Sequence, residues 1–138
     1  MRVVIDTNVL LAVVPSKSKY YFVYQLIKNK QLDLAISNEI ALEYEEQLKF
    51  RYKLFSVEDE LTSLFQQPNI RFYMPDFFWN FITADPDDNK FVDCAIAANA
   101  DYIITNDAHF NVLRNIAFPK VNILTLHEFI SLLSTSEL

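Results

Sequence analysis

The chain has 138 residues, 51% of them hydrophobic and 22% charged, which describes one globular domain with a real core and excludes a disordered segment. One cysteine, Cys94, excludes an internal disulfide framework, and no apolar run approaches the roughly 18 residues of a membrane span. A net charge of −6 argues against a nucleic-acid partner unless several of the acids gather around metal ions, and together these features predict a soluble, cytoplasmic protein with no membrane contact.

Arg2–Ile5 (RVVI) reads as a short strand buried on both faces, as in a parallel sheet, and it ends on Asp6, Thr7 and Asn8 with no glycine to turn the chain. Asn8–Val14 predicts a helix stopped by Pro15, and Ser18–Asn29 a second one on the Tyr21, Tyr24, Gln25, Lys28 spacing. Leu32–Ile36 is a second strand. Ser37 has the character of an N-cap for a long helix to about Phe50, with Ile40, Leu42, Tyr44 and Leu48 as its apolar positions. Ser56 offers another cap, for a helix to about Gln67. Asn69–Met74 is a third strand, and Pro75–Asp85 is aromatic-rich and irregular. Asp87 and Asp88 precede a helix to about Asn99. Asp101–Thr105 is a fourth strand, followed by a short helix from Asp107. Val121–Thr125 is a fifth strand, and His127–Leu133 a closing helix. Strands alternating with helices predict βαβ units and one α/β domain over residues 1–138.

Charge is unevenly spread. Residues 1–53 hold eight Lys/Arg and six Asp/Glu, whereas residues 54–138 hold four and twelve. The basic residues Lys17, Lys19, Lys28, Lys30, Lys49, Arg51 and Lys53 read first as solvated helix faces, with a track for a nucleic-acid backbone as the functional alternative. The chain has no glycine, so positions needing positive φ fall to other residues, with Asn29, Asn99 and Asn106 as candidates.

In an open α/β sheet the ligand crevice lies beyond the carboxyl ends of the strands, near the point where strand order reverses. Asp6 closes the first strand and Asp107 follows the fourth. Glu43 lies about two turns into the helix after the second strand, and Asp88 begins the helix leading into the fourth. Each alone has a bland reading: Asp6 or Asp88 as a helix cap, Glu43 as one more exposed acid beside Glu45 and Glu46. Brought together they need a compensating cation. An all-oxygen set suits Mg²⁺ or Mn²⁺ rather than zinc, and fits metal-assisted phosphodiester hydrolysis. His109 and His127 read as surface or core residues. The aromatic stretch Phe72–Phe81 reads as core first, with a dimer surface or a base-stacking platform as the alternatives.

The segments VVIDTNVLL, SNEIALEYEEQL and DPDDNKFVDCAIAANADYIITND resemble, in order, the motifs of PIN domains, and most nearly the bacterial group related to VapC-like ribonucleases of toxin–antitoxin pairs. The resemblance implies a three-layer α/β/α sandwich on a central parallel sheet of four to five strands. It also implies a metal-dependent endoribonuclease using Mg²⁺ or Mn²⁺. Carried over by motif, the site acids are Asp6, Glu43, Asp88 and Asp107; Asp93 is a further acid able to bind metal directly or through water and the alternative third ligand, and Asp85 and Asp87 are alternatives to Asp88 in the motif. Asn8 and Thr105 match the polar residues that orient the cluster. RNA is the implied substrate, a small antitoxin protein the implied partner and a homodimer the assembly; within the basic cluster, Lys49 and Arg51 are the candidate backbone contacts. Asn106 departs from the pattern, standing where the family often has glycine. Two other classes remain: a non-catalytic PIN-like RNA- or protein-binding module, and a phosphoacceptor signalling domain. The latter would want an adjacent acidic pair early and a lysine after a late strand, where this chain has Asn106 and Asp107.

Overall fold

The computed structural model describes residues 1–52 and 57–135, so the predicted cap Ser56 and the basic residue Lys53 lie outside the described residues. Five parallel strands, β1 (Arg2–Ile5), β2 (Asp33–Ile36), β3 (Ile70–Phe72), β4 (Tyr102–Ile104) and β5 (Ile123–Leu124), form one sheet in the order β3-β2-β1-β4-β5. β1 is central. It pairs Val3 with Leu34 on one side and Val4 with Ile103 on the other, and Val3, Val4 and Ile5 have no exposed surface. An uninterrupted β-branched run fits this position because both faces are covered.

The helices are α1 (Thr7–Val13), α2 (Tyr21–Lys28), α3 (Asn38–Arg51), α4 (Val57–Phe65), α5 (Asn89–Ala98) and α6 (Leu126–Ser134). Parallel crossovers are right-handed. Moving outward from β1 to β2 and β3 therefore lays α1–α4 on one face. The return to β4 and β5 lays α5 and the 3₁₀ segment Ala108–Asn115 on the other, with α5 across β1, β2 and β4. This is the three-layer α/β/α arrangement. Strand order reverses at β1 and β4, where Asp6 and Thr105 leave the sheet.

Local chemistry accounts for most element ends. Ser37 caps α3, its hydroxyl accepting from the Ile40 amide at 3.3 Å. Thr125 and Glu128 form a reciprocal capping box on α6. α2 starts three residues later than predicted because the Ser18 side chain instead closes a turn, donating to the Ala12 carbonyl at 2.6 Å and accepting from the Tyr20 amide. The predicted strand over 69–74 pairs only at Ile70–Phe72, and the segment after Asp107 is 3₁₀ rather than α.

Three expectations are corrected. Leu42 is 67% exposed, because Ile40, Tyr44 and Leu48 at i, i+4, i+8 face the core and a residue two positions on points away. Asn99 does take left-handed backbone (φ 50) to close α5, but Asn29 does not (φ −90). The positive φ after α2 passes to Lys30 (φ 62), where the amides of Lys30 and Gln31 turn back onto the Ile27 and Leu26 carbonyls. Asn106 is not among the positive-φ residues; its side-chain oxygen accepts from the Leu126 amide at 3.0 Å.

One buried polar residue ties two crossovers together. Asn69 donates to the carbonyls of Ile27 at 2.8 Å and Leu32 at 2.9 Å, satisfying the turn between α2 and β2 from the start of β3. Asn69→Ala strands both carbonyls and is expected to lower stability in urea unfolding by about 2 kcal/mol.

Candidate active site

β1 pairing continues past its last residue: the Asp6 amide donates to the Ile104 carbonyl at 3.0 Å, which sets Asp6 beside Thr105. The Thr105 hydroxyl donates to Asp6 Oδ2 at 2.8 Å and accepts from the Asp107 amide at 3.0 Å. One threonine thus places both acids at the reversal of strand order. Asp6 occupies the N-cap position of α1 but its side chain makes no capping bond, so the helix-cap reading does not explain it. Tyr44, fully buried in α3, donates its hydroxyl to the Ile5 carbonyl. That contact docks α3 on the end of β1 and carries the adjacent Glu43 to the same edge.

Glu43 has both oxygens engaged. Oε2 accepts from the Thr7 hydroxyl, and Oε1 pairs with the Lys90 ammonium at 2.8 Å. Lys90, with its side chain only 10% exposed, also pairs with Asp87 Oδ2 at 2.8 Å. Burial pulls its pKa down, and Asp87 and Glu43 more than offset this, so it lies above the usual lysine value. Lys90→Met leaves Glu43 uncompensated beside Asp6. It is expected to lower stability by about 2 kcal/mol without metal and to tighten Mn²⁺ binding, both readable by calorimetry.

Asp88 immediately precedes α5 at its N-cap position, also without a capping bond from its side chain. Its Oδ2 is buried with no hydrogen-bond partner, and His109 Nδ1 lies 3.8 Å away. Burial, then the negative charges of Asp85, Asp107 and Asp6, push the Asp88 carboxyl up to about 7. Burial likewise raises Asp6, against the Thr105 hydrogen bond and with Asp107 and Glu43 adding to it. Asp107 does cap the following turn, Oδ1 accepting from the His109 amide at 2.9 Å, with His109 Nδ1 3.4 Å from the same oxygen. Ligand atoms of Asp85, Asp88 and His109 lie within 4.8 Å of one another.

Of the predicted acids, Asp6 feels the charges of Asp107 and Glu43, and Asp88 those of Asp107 and Asp6, whereas the ligand atoms that come within 4.8 Å of one another among the described residues are those of Asp85, Asp88 and His109. Asp93 is set apart: buried one turn down α5, it accepts from the Trp79 amide at 3.1 Å and feels Glu39. Asn8 is exposed, and orientation of the carboxylates falls to Thr7 and Thr105. Lys49 stands six residues, about 9 Å, along α3 from Glu43, and already bridges Glu45 at 2.7 Å and Glu58 at 2.8 Å. Sequence reasoning missed Lys90 and set His109 aside as surface or core. The signal for Lys90 was present, a lone lysine three residues after Asp87 in an acidic run; His109 carries none apart from its place two residues beyond Asp107.

Chemically, a buried carboxylate oxygen without a partner is costly unless a proton or cation meets it. The donor set is mainly oxygen, which hard divalent cations take.

No curated protein sequence matches the chain. Its fold is similar to that of a chain of VapBC2 from Rickettsia felis, crystallised bound to a DNA fragment from their promoter. The TM-score is 0.60 at 18% identity, covering 91% of this chain and 98% of that one. A family model described as PIN domain matches residues 2–109, a span that carries Asp6, Glu43, Asp88 and Asp107. The chain belongs to the PIN domain family.

Proposed function

We propose that the chain is a Mg²⁺- or Mn²⁺-dependent endoribonuclease, the toxin half of a toxin–antitoxin pair similar to VapC. One observation supports the reading: a buried oxygen of Asp88 has no hydrogen-bond partner, and Asp88 feels the charges of Asp107 and Asp6 from the edge where strand order reverses. Asp6, Asp88 and Asp107 would hold the ion, with Glu43 completing the anionic wall. When bound, the ion polarises the phosphodiester, lowers the pKa of the attacking water and offsets charge on the leaving oxygen.

The chain's own contribution is placement. Thr105 fixes Asp6, Thr7 and Lys90 fix the two oxygens of Glu43, and the His109 amide fixes Asp107. Groups held this way need no reorganisation when a phosphate arrives. At the far end of α3, Lys49 and Arg51 face the RNA backbone in this reading. Lys49 is already paired, so Arg51, which has no ion pair among the described residues, carries the larger share. Likeness to a chain of VapBC2 supports a small antitoxin protein as partner, and a homodimer belongs to the same reading.

The test is single-turnover incubation of single-stranded RNA with the wild type. Internal cleavage is expected in Mg²⁺ or Mn²⁺ and none in EDTA. Cleavage that persists in EDTA sinks the metal mechanism. A wild type that binds RNA and leaves it intact in either metal makes the chain a non-catalytic binding module.

A further inference from the structure

We propose that the cleft beside the acidic edge is a subsite for one unstacked RNA base carrying an exocyclic amino group. The proposal rests on the ribonuclease reading and names part of its substrate specificity. The cleft has a volume of about 400 Å³, the size range of small-ligand pockets. It opens at the carboxyl ends of β2 and β3, where Asn38 and Tyr73 line it, and reaches the acids through Lys90, whose ammonium touches Glu43 at 2.8 Å. A nucleotide flanking a phosphodiester drawn to an ion at Asp6 and Asp88 would meet this cleft next.

The wall between β3 and α5 is built to hold an aromatic ring outward. Buried Asn89 accepts from the Ile82 amide at 2.9 Å and donates to the Ile82 carbonyl at 2.8 Å, while Asp93 accepts from the Trp79 amide at 3.1 Å. Asn80, at φ 54, donates to the Phe78 carbonyl at 3.3 Å. The backbone of residues 78–82 is thus fixed by polar anchors, yet Phe78 lines the cleft with 74% of its surface exposed. Exposing a phenyl ring on pinned backbone forfeits burial, and a stacking partner recovers it.

The polar lining selects the partner. Glu39, Asp87 and Asp93 outnumber the one cation Lys90, so a phosphate is repelled from the cleft and a base is not. Carboxylates accept from amino groups and repel carbonyl oxygens, which favours cytosine or adenine over uracil.

Trp79 is the only tryptophan of the chain; it is half-buried, adjoins Phe78 of the lining and donates its amide to Asp93, so its fluorescence is expected to respond when the cleft fills. The experiment titrates wild type, in EDTA so that nothing is cut, with single-stranded hexamers of cytidylate, adenylate or uridylate. Saturable changes are expected, with cytidylate and adenylate bound at least about tenfold more tightly than uridylate. Phe78→Ala should weaken cytidylate binding by at least about fivefold without changing the melting temperature. Asp93→Asn, whose amide both donates and accepts, should narrow the gap between cytidylate and uridylate. Equal affinity for the three hexamers, or the absence of a saturable change, overturns the proposal. A response to an oligolysine peptide alone overturns it in favour of a basic protein segment. Binding is read without hydrolysis, so a protein that cuts RNA but fails here loses only the subsite. One that responds here but never cuts loses the nuclease reading.

Discussion

Asp6→Asn is expected to slow single-turnover RNA cleavage by about 100-fold or more while RNA affinity changes by less than about threefold. The substitution keeps the shape of the side chain and its contact with the Thr105 hydroxyl, but removes one of the charges gathered at the strand edge. Groups that act on charge developing in the transition state affect turnover more than ground-state binding. Asp88→Asn and Asp107→Asn are expected to behave alike, and Glu43→Gln to do so as well, with the added loss of its pairing to Lys90. Asp93→Asn should fall between these and wild type, since Asp93 bonds the Trp79 amide away from the cluster. Glu45→Gln and Glu46→Gln should cut at the normal rate. Cleavage that survives Asp6→Asn with Asp107→Asn would remove the strand edge from the chemistry.

The melting temperature of the wild type is expected to rise by several degrees at pH 8 in Mg²⁺ or Mn²⁺, about what 1 kcal/mol or more produces in a domain of this size. The reason is the crowding of Asp6 and Asp88. Both carboxyls have pKa values raised above the usual aspartate value, Asp88 to about 7, chiefly by burial. A group that binds its proton more tightly when folded contributes stability fully present below about pH 4 and lost as pH rises through its folded pKa. Without metal, the share of stability carried by Asp88 should therefore decline between about pH 4 and pH 7. Asp88→Asn, which cannot ionise, should remove that decline, raise the metal-free melting temperature at pH 8 and lose most of the metal increment. Scanning calorimetry with and without EDTA across pH 5–8 reads all three. A metal response unchanged in both Asp6→Asn and Asp88→Asn would place the ion elsewhere.

The strand and helix order was legible from the amino acids, because that order rests on local chemistry: a β-branched run for the doubly covered β1, Ser37 as a cap, and apolar Ile40, Tyr44 and Leu48 at helical spacing. So were the acids at the ends of β1 and β4, since an ionisable residue closing a buried strand is visible without coordinates. Where short-range rules compete, the sequence was less informative. Leu42 is apolar but faces water, and the left-handed position after α2 fell to Lys30 rather than Asn29 because hydrogen bonds of the turn, not side-chain preference, set it. What surrounds each acid follows from packing between distant segments. Thr105 is 99 residues from Asp6, and Tyr44 is 39 from Ile5, and both contacts depend on strand pairing and helix docking that no local window contains. The partner of Glu43 was decided the same way: Lys90 reaches it because α3 and α5 meet at the edge of the sheet. The oxygen of Asp88 without a hydrogen-bond partner is likewise a property of packing. Burial creates it, and burial is a sum over neighbours that are distant in sequence.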